Sequence, residues 1–207
     1  MSSSFSKLST EYRIFTELKK QNTFVLPENY MIGEREEFRR QYGIKKIQYV
    51  PVVAQFVPMR LVLKLFFELP NVFDDTITYI NSLNVDSDVI SNFVQSNLWK
   101  EQSSFSKKIT FPFFIYFDDY ENNNPLGTHR GVNKCGAVYL SIPCLPLQYQ
   151  SKLENIFLFV LFNTLDRSIF KNKIIFSKVI EELKFLENEG IVIEHKGEKK
   201  ESILYCP

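Results

Sequence analysis

Apolar residues recur at helical spacing through the first hundred positions, and after residue 108 they gather into denser aromatic runs typical of strands. Leu8, Tyr12, Phe15 and Leu18 stand three and four positions apart among charged residues, which predicts a short amphipathic helix over Leu8 to Gln21. Residues 24–49 break that pattern. Pro27, Gly33 and Gly43 punctuate a run of charges (Glu34, Arg35, Glu36, Glu37, Arg39, Arg40), so a loop followed by a short polar helix or a hairpin is expected, with a solvated face. FVPMRLVLKLFFELP then predicts a helix bracketed by Pro58 and Pro70, with Leu61, Leu65 and Phe66 on one side. A second helix is expected over Asn71 to Ser82, capped by Asn71, with Asp74 and Asp75 in its first turn and Phe73, Ile77 and Ile80 along one face. Asp86 to Trp99 reads as a third, through Val89, Ile90, Phe93, Val94 and Leu98. Residues 1–100 are therefore expected to form a mainly helical N-terminal region.

The polar stretch Lys100 to Lys108 is the expected boundary, because neither period survives in it. Ile109 to Phe117 (ITFPFFIYF) reads as a strand with two acids, Asp118 and Asp119, at its C-terminal end. ENNNPLGTHRG supplies a turn-rich connection, and Lys134 to Pro143 a second strand that pairs with the first as a hairpin. Glu154 to Asn163 is expected as a third, central strand, with a buried helix as the alternative. Lys173 to Glu189 is the clearest helix, with Phe176, Val179, Ile180, Leu183 and Leu186 on its apolar side and Gly190 closing it. Ile191 to Glu194 and Glu201 to Tyr205 read as short strands around the turn HKGEKK, and ILYCP as a strand left unfinished. The fold class this predicts is α+β or α/β: a helical unit, then a partial sheet with one long helix.

Composition narrows the function. With 25 Lys and Arg against 24 Asp and Glu, the chain lacks the overall positive field that collects phosphates, so any contact with DNA has to be local. Cys135, Cys144 and Cys206 show no metal-site or disulfide-framework spacing, which suits a reducing, intracellular setting. MSSSFSKLST has no apolar core of a secretion signal, and IFLFVLF is too short to cross a bilayer by roughly a factor of two, so no membrane partner is expected. No Ser-His-Asp set, P-loop, Rossmann glycine pattern or HExxH motif is present.

Four segments, FFIYFDDYENNNPLG, GAVYLSIPCLP, LENIFLFVLFN and IFSKVIEELKFLENEGI, together resemble the catalytic region of CACTA-type (En/Spm-like) transposases, especially their diverged animal relatives. The matching places are Asp118 or Asp119, Asn124, Pro125, Pro143, Leu145, Pro146, Ile180, Glu182, Leu183, Leu186 and Gly190, within residues 109–205; a fainter likeness extends over residues 66–80. The resemblance implies an incomplete ribonuclease-H-like domain over 105–207, in which Asp118, or Asp119 one residue on, is the catalytic acid and first metal ligand. It implies two Mg2+ ions held between several acids, one activating a water or 3′-hydroxyl and the other stabilising the leaving oxygen. The family's second acid belongs on the strand that ILYCP begins, its third lies further on, and its Cys-rich segment is missing here. The chain is therefore expected to be a fragment of a DDE/D transposase with DNA as the intact family's partner, inactive alone, binding Mg2+ at most weakly, and nuclear if functional. The alternative is a host-adopted, non-catalytic module that pairs with other proteins, full-length relatives among them, through its incomplete sheet. His129 and His195 read as loop histidines, Cys135 and Cys144 as core thiols. Lys196, Lys199, Lys200, Arg60 and Lys64 read as solvated charges.

Overall fold

A computed structural model of the chain describes residues 10–21, 24–83, 89–121, 134–150 and 152–205. In order these form α1 (Glu11–Lys20), β1 (Glu28–Gln41), β2 (Ile44–Phe56), α2 (Met59–Phe67), α3 (Val72–Leu83), α4 (Asn97–Ser104), β3 (Ile109–Pro112), β4 (Phe114–Glu121), β5 (Lys134–Ser141), β6 (Phe157–Asn163), α5 (Thr164–Ile175), α6 (Ser177–Asn188), β7 (Ile191–His195) and β8 (Glu198–Tyr205). A five-stranded antiparallel sheet runs β1-β2-β6-β5-β4, and a three-stranded sheet runs β3-β8-β7. The protein is thus mixed α+β.

The aromatic segments after residue 108 take the expected strand roles. β4 and β5 pair as a hairpin with Phe114 opposite Ser141 and Glu121 opposite Lys134, and β6 is the central strand of its sheet. β3 and β4 are one run of chain interrupted at Phe113: the first part pairs with β8 in parallel, the second with β5 in antiparallel. β8 is itself the centre of its sheet, and Ser202 faces Ile109 on one side and Ile191 on the other. Of the unfinished strand expected at ILYCP, Ile203 to Tyr205 pair with β3 on one side, while the pairing with β7 stops at Ser202.

The front of the chain departs most from expectation. Residues 28–56 take the hairpin alternative rather than the polar helix, and its 14- and 13-residue strands replace the expected loop as well, so the region 1–100 is not mainly helical. From Phe38 to Tyr49 its described side chains stand in water on both faces, while nearer the body Ile32 is buried and Arg35 half-buried; no period-2 apolar signal appears until Val52, Ala54 and Phe56 alternate inward. The turn is set by Tyr42 (φ 53) and Gly43 (φ 80), the two positive φ values of a mirror-image hairpin turn. α2 buries Met59, Leu63, Phe66 and Phe67, whereas Leu61, expected on its inner face, is 48% exposed. The expected helix over 86–99 is replaced, among the described residues, by a 3₁₀ turn at Phe93–Gln95, with Val89 and Ile90 exposed. α4 follows because the Ser96 hydroxyl accepts the Trp99 N–H at 3.2 Å, and it runs on into the stretch expected to be the boundary. The long C-terminal helix is divided: α5 and α6 meet at Phe176, and Gly190 (φ 78) ends α6 as expected.

One apolar cluster draws on both sides of Lys100 to Lys108. Phe67 of α2 stacks on Phe111 of β3 at 4.6 Å, and Phe66 meets Phe157 of β6 edge-on at 5.1 Å. The Glu182 carboxylate of α6, buried with only 2% exposure, accepts the backbone N–H of Arg60 at 2.9 Å and its Nε at 2.8 Å.

Candidate functional site

β4 carries the two acids, and it does not end at them: the strand continues to Glu121, placing Asp118 and Asp119 within its pairing with β5 rather than beyond it. Neighbouring strand residues point to opposite faces. Ile115, Phe117 and Asp119 face the helices. Phe117 lies parallel to Phe162 at 6.0 Å and edge-on to Phe176 at 5.9 Å. The Asp119 carboxylate accepts a hydrogen bond from Thr164 Oγ1 at 2.9 Å and lies 3.6 Å from Arg167 Nη2, both in the first turn of α5. The guanidinium of Arg167 also sits over the Phe117 ring at 4.7 Å. α5 starts there because the Asn163 side chain accepts the Leu165 N–H at 2.9 Å. Opposite Asp119 stands Gly136, where a Cβ would fall 2.5 Å from Phe162 Cζ and 3.1 Å from Asp119 Oδ1. Only a glycine leaves both in place.

Phe114, Tyr116 and Asp118 face the other way. With Tyr139 and Ser141 of β5, their cross-strand neighbours, they floor a groove of about 800 Å³ walled by Phe93 and Tyr149 among others. The exposed Asp118 carboxylate has no ion pair among the described residues. Sequence reading placed the acids but not this groove, although Phe114, Tyr116 and Asp118 at every second position were the available signal.

The paired acids therefore cannot close on one ion from adjacent positions of one strand. Among the described residues no three His, Cys, Asp or Glu side chains come together as a metal site. No family model matches the chain, and no curated protein does.

The remaining candidates have structural partners or lie elsewhere. Asn124, Pro125 and His129 fall outside the described residues. Cys135 is half-buried; Cys144 is wholly buried, and burial pushes its thiol up, so it stays protonated. His195 Nε2 lies 2.9 Å from Asp74 Oδ1 and Lys196 Nζ 2.7 Å from Asp74 Oδ2, so the tight turn between β7 and β8 is clamped onto α3. The Lys196 ammonium, and then His195, holds the Asp74 carboxyl below its ordinary range. Arg60 is engaged by Glu182, Lys64 by Glu68 and Lys200 by Glu198. No helix among the described residues is long and apolar enough to cross a membrane.

Proposed function

We infer that residues 109–205 are the opening part of a ribonuclease-H-like catalytic domain of a CACTA-type transposase, supplying one strand-borne acid to a metal site whose other acids come from elsewhere. The observation that carries this reading is the pairing of β8 with β3. A three-stranded meander, β4-β5-β6, is followed by α5, α6 and β7, and the chain then returns as β8, in a separate three-stranded sheet, parallel to β3, the part of the acid-bearing run that precedes Phe113, with Ile109 opposite Ser202 and Pro112 opposite Tyr205. A returning strand can bring a second carboxylate to the first only from that neighbouring position, and parallel neighbours need a helical crossover of this kind.

The residues present do not fit a pair of magnesium ions by themselves, since one face of β4 offers Asp118 alone, the other Asp119 and Glu121, no three such side chains come together among the described residues, and two-metal chemistry needs several converging oxygens. Asp118 is the first ligand in this reading, because its carboxylate is open to the groove while Asp119 is held by Thr164 and Arg167. Residues 109–205 alone then neither cut nor join DNA, and the intact enzyme's DNA chemistry makes the nucleus its place of action. Manganese titration followed by amide NMR tests this. Broadening at millimolar ion should centre on Asp118 and vanish in Asp118→Asn, while supercoiled plasmid incubated with magnesium stays intact. Broadening that avoids β4, or magnesium-dependent nicking by the chain that Asp118→Ala with Asp119→Ala abolishes, refutes it.

A second reading, a non-catalytic module that recruits other proteins by strand addition, has one observation in its favour: beyond Phe113, β4 pairs with β5 and with no other strand of the described residues. A protein that stays monomeric and fails to capture a full-length relative argues against it.

A further inference from the structure

We propose that the tip of the β1-β2 hairpin is a nucleic-acid-binding arm that enters the groove of double-stranded DNA. From Phe38 to Tyr49 every residue whose side chain is described is exposed, so the ribbon's outer part stands in water on both faces, about 3.4 Å of reach per residue. A two-stranded ribbon with no packed face has little to hold it in isolation. This one also carries an unfavourable arrangement: Arg39 lies directly opposite Lys46, and Arg40 directly opposite Lys45. Like charges in cross-strand positions repel, and the repulsion is relieved when a polyanion lies against them.

The placement of the cations identifies the partner. Opposed residues share a face and successive pairs alternate, so one cationic pair points from each face of the tip. A membrane or a flat acidic protein surface meets one face; the groove of a duplex has phosphates on both walls, and the major groove, about 12 Å wide, admits a two-stranded ribbon. No acid occurs between Phe38 and Phe56. Arg40, Lys45 and Lys46 have no ion pair among the described residues, and Arg39 has only a solvent-exposed contact of 3.6 Å to Glu37. Arg35, nearer the body, is by contrast held by Asp166 at 2.8 Å and by Glu37. A nearly neutral chain thereby concentrates four available cations at one projecting point, the local contact that its overall charge balance requires.

Binding of DNA by the hairpin tip needs no metal site and does not depend on Asp118, so it is tested in EDTA, where a failure says nothing about β4. Fluorescence anisotropy with a labelled mixed-sequence duplex of about 20 base pairs should show binding that weakens roughly 100-fold between about 50 and 200 mM salt, the change expected for about four neutralised phosphates. Removing one face's pair (Arg39→Gln with Lys46→Gln) or the other's (Arg40→Gln with Lys45→Gln) should each take away about half of the logarithmic salt slope, and all four together nearly all of it. Circular dichroism melts of the variants should match the parent, since none of these four side chains is buried. Loss confined to one face, salt dependence untouched by the fourfold variant, equal binding of a single strand of the same length, or binding of phosphatidylserine vesicles without the duplex overturns the proposal.

Discussion

The contact between Arg60 and Glu182 ties α2, from the first third of the chain, to α6, from the last, and its two partners should fail unequally. Glu182 is 2% exposed, whereas the Arg60 side chain keeps 34% of its surface in water and rests its guanidinium 3.6 Å over the Phe185 ring. Arg60→Met leaves a buried carboxylate with only the backbone N–H of residue 60, and stranding a buried charge costs about 3–5 kcal/mol. Glu182→Gln keeps one acceptor but turns the other towards Arg60 as a donor. The guanidinium then recovers water, so the loss should be about 2–3 kcal/mol. Replacing both by methionine removes the stranded charge and should cost less than Arg60→Met alone. Urea unfolding followed through Trp99, the single tryptophan and 5% exposed, and in parallel by far-ultraviolet circular dichroism, measures all three. If Arg60→Met proves cheaper than Glu182→Gln, or if the fluorescence and dichroism transitions separate so that one part of the chain unfolds without the other, the reasoning is wrong.

Three further outcomes follow from other contacts. Gly136→Ala should destabilise the protein by about 1–3 kcal/mol, because its Cβ has to displace Phe162 or Asp119; an unchanged urea midpoint contradicts the packing described around β5. Asp74, held below its ordinary range by Lys196 and His195, contributes stability that is fully present above the usual carboxylate pKa and is lost as pH falls through its lowered folded value. Parent and Asp74→Asn melting temperatures should therefore differ near neutrality and draw together as pH falls below the usual carboxylate range, and a gap that does not narrow in acid refutes the assignment. Cys144 should resist alkylation at mild alkaline pH until denaturant is added, as read by mass spectrometry of its peptide; labelling in the native protein shows that the thiol is not sealed in the core.

Legibility in the sequence tracked burial. The segments ITFPFFIYF, KCGAVYLSIP and IFLFVLFN announce strands because one or both faces meet the core, and VIEELKFLENEG announces a helix because Val179 and Leu186 recur on a buried side before a glycine at φ 78. Where neither face is buried, as from Phe38 to Tyr49, the pattern carries no strand signal, so the sequence leaves residues 24–49 open between a polar helix and a hairpin after a loop. Val89 and Ile90 mislead in the opposite sense, being apolar yet exposed.

Chain order by itself determined that an aromatic strand carrying adjacent acids precedes two more strands and a long helical stretch, since side-chain size and period decide which segments can be strand or helix. Only the tertiary structure decided that Asp118 and Asp119 part to opposite faces, that β8 lies parallel beside β3, and that four cations stand two by two at the end of a bare ribbon. Those outcomes depend on which distant segments pair and in what register, and pairing energies are shared between residues far apart in the chain.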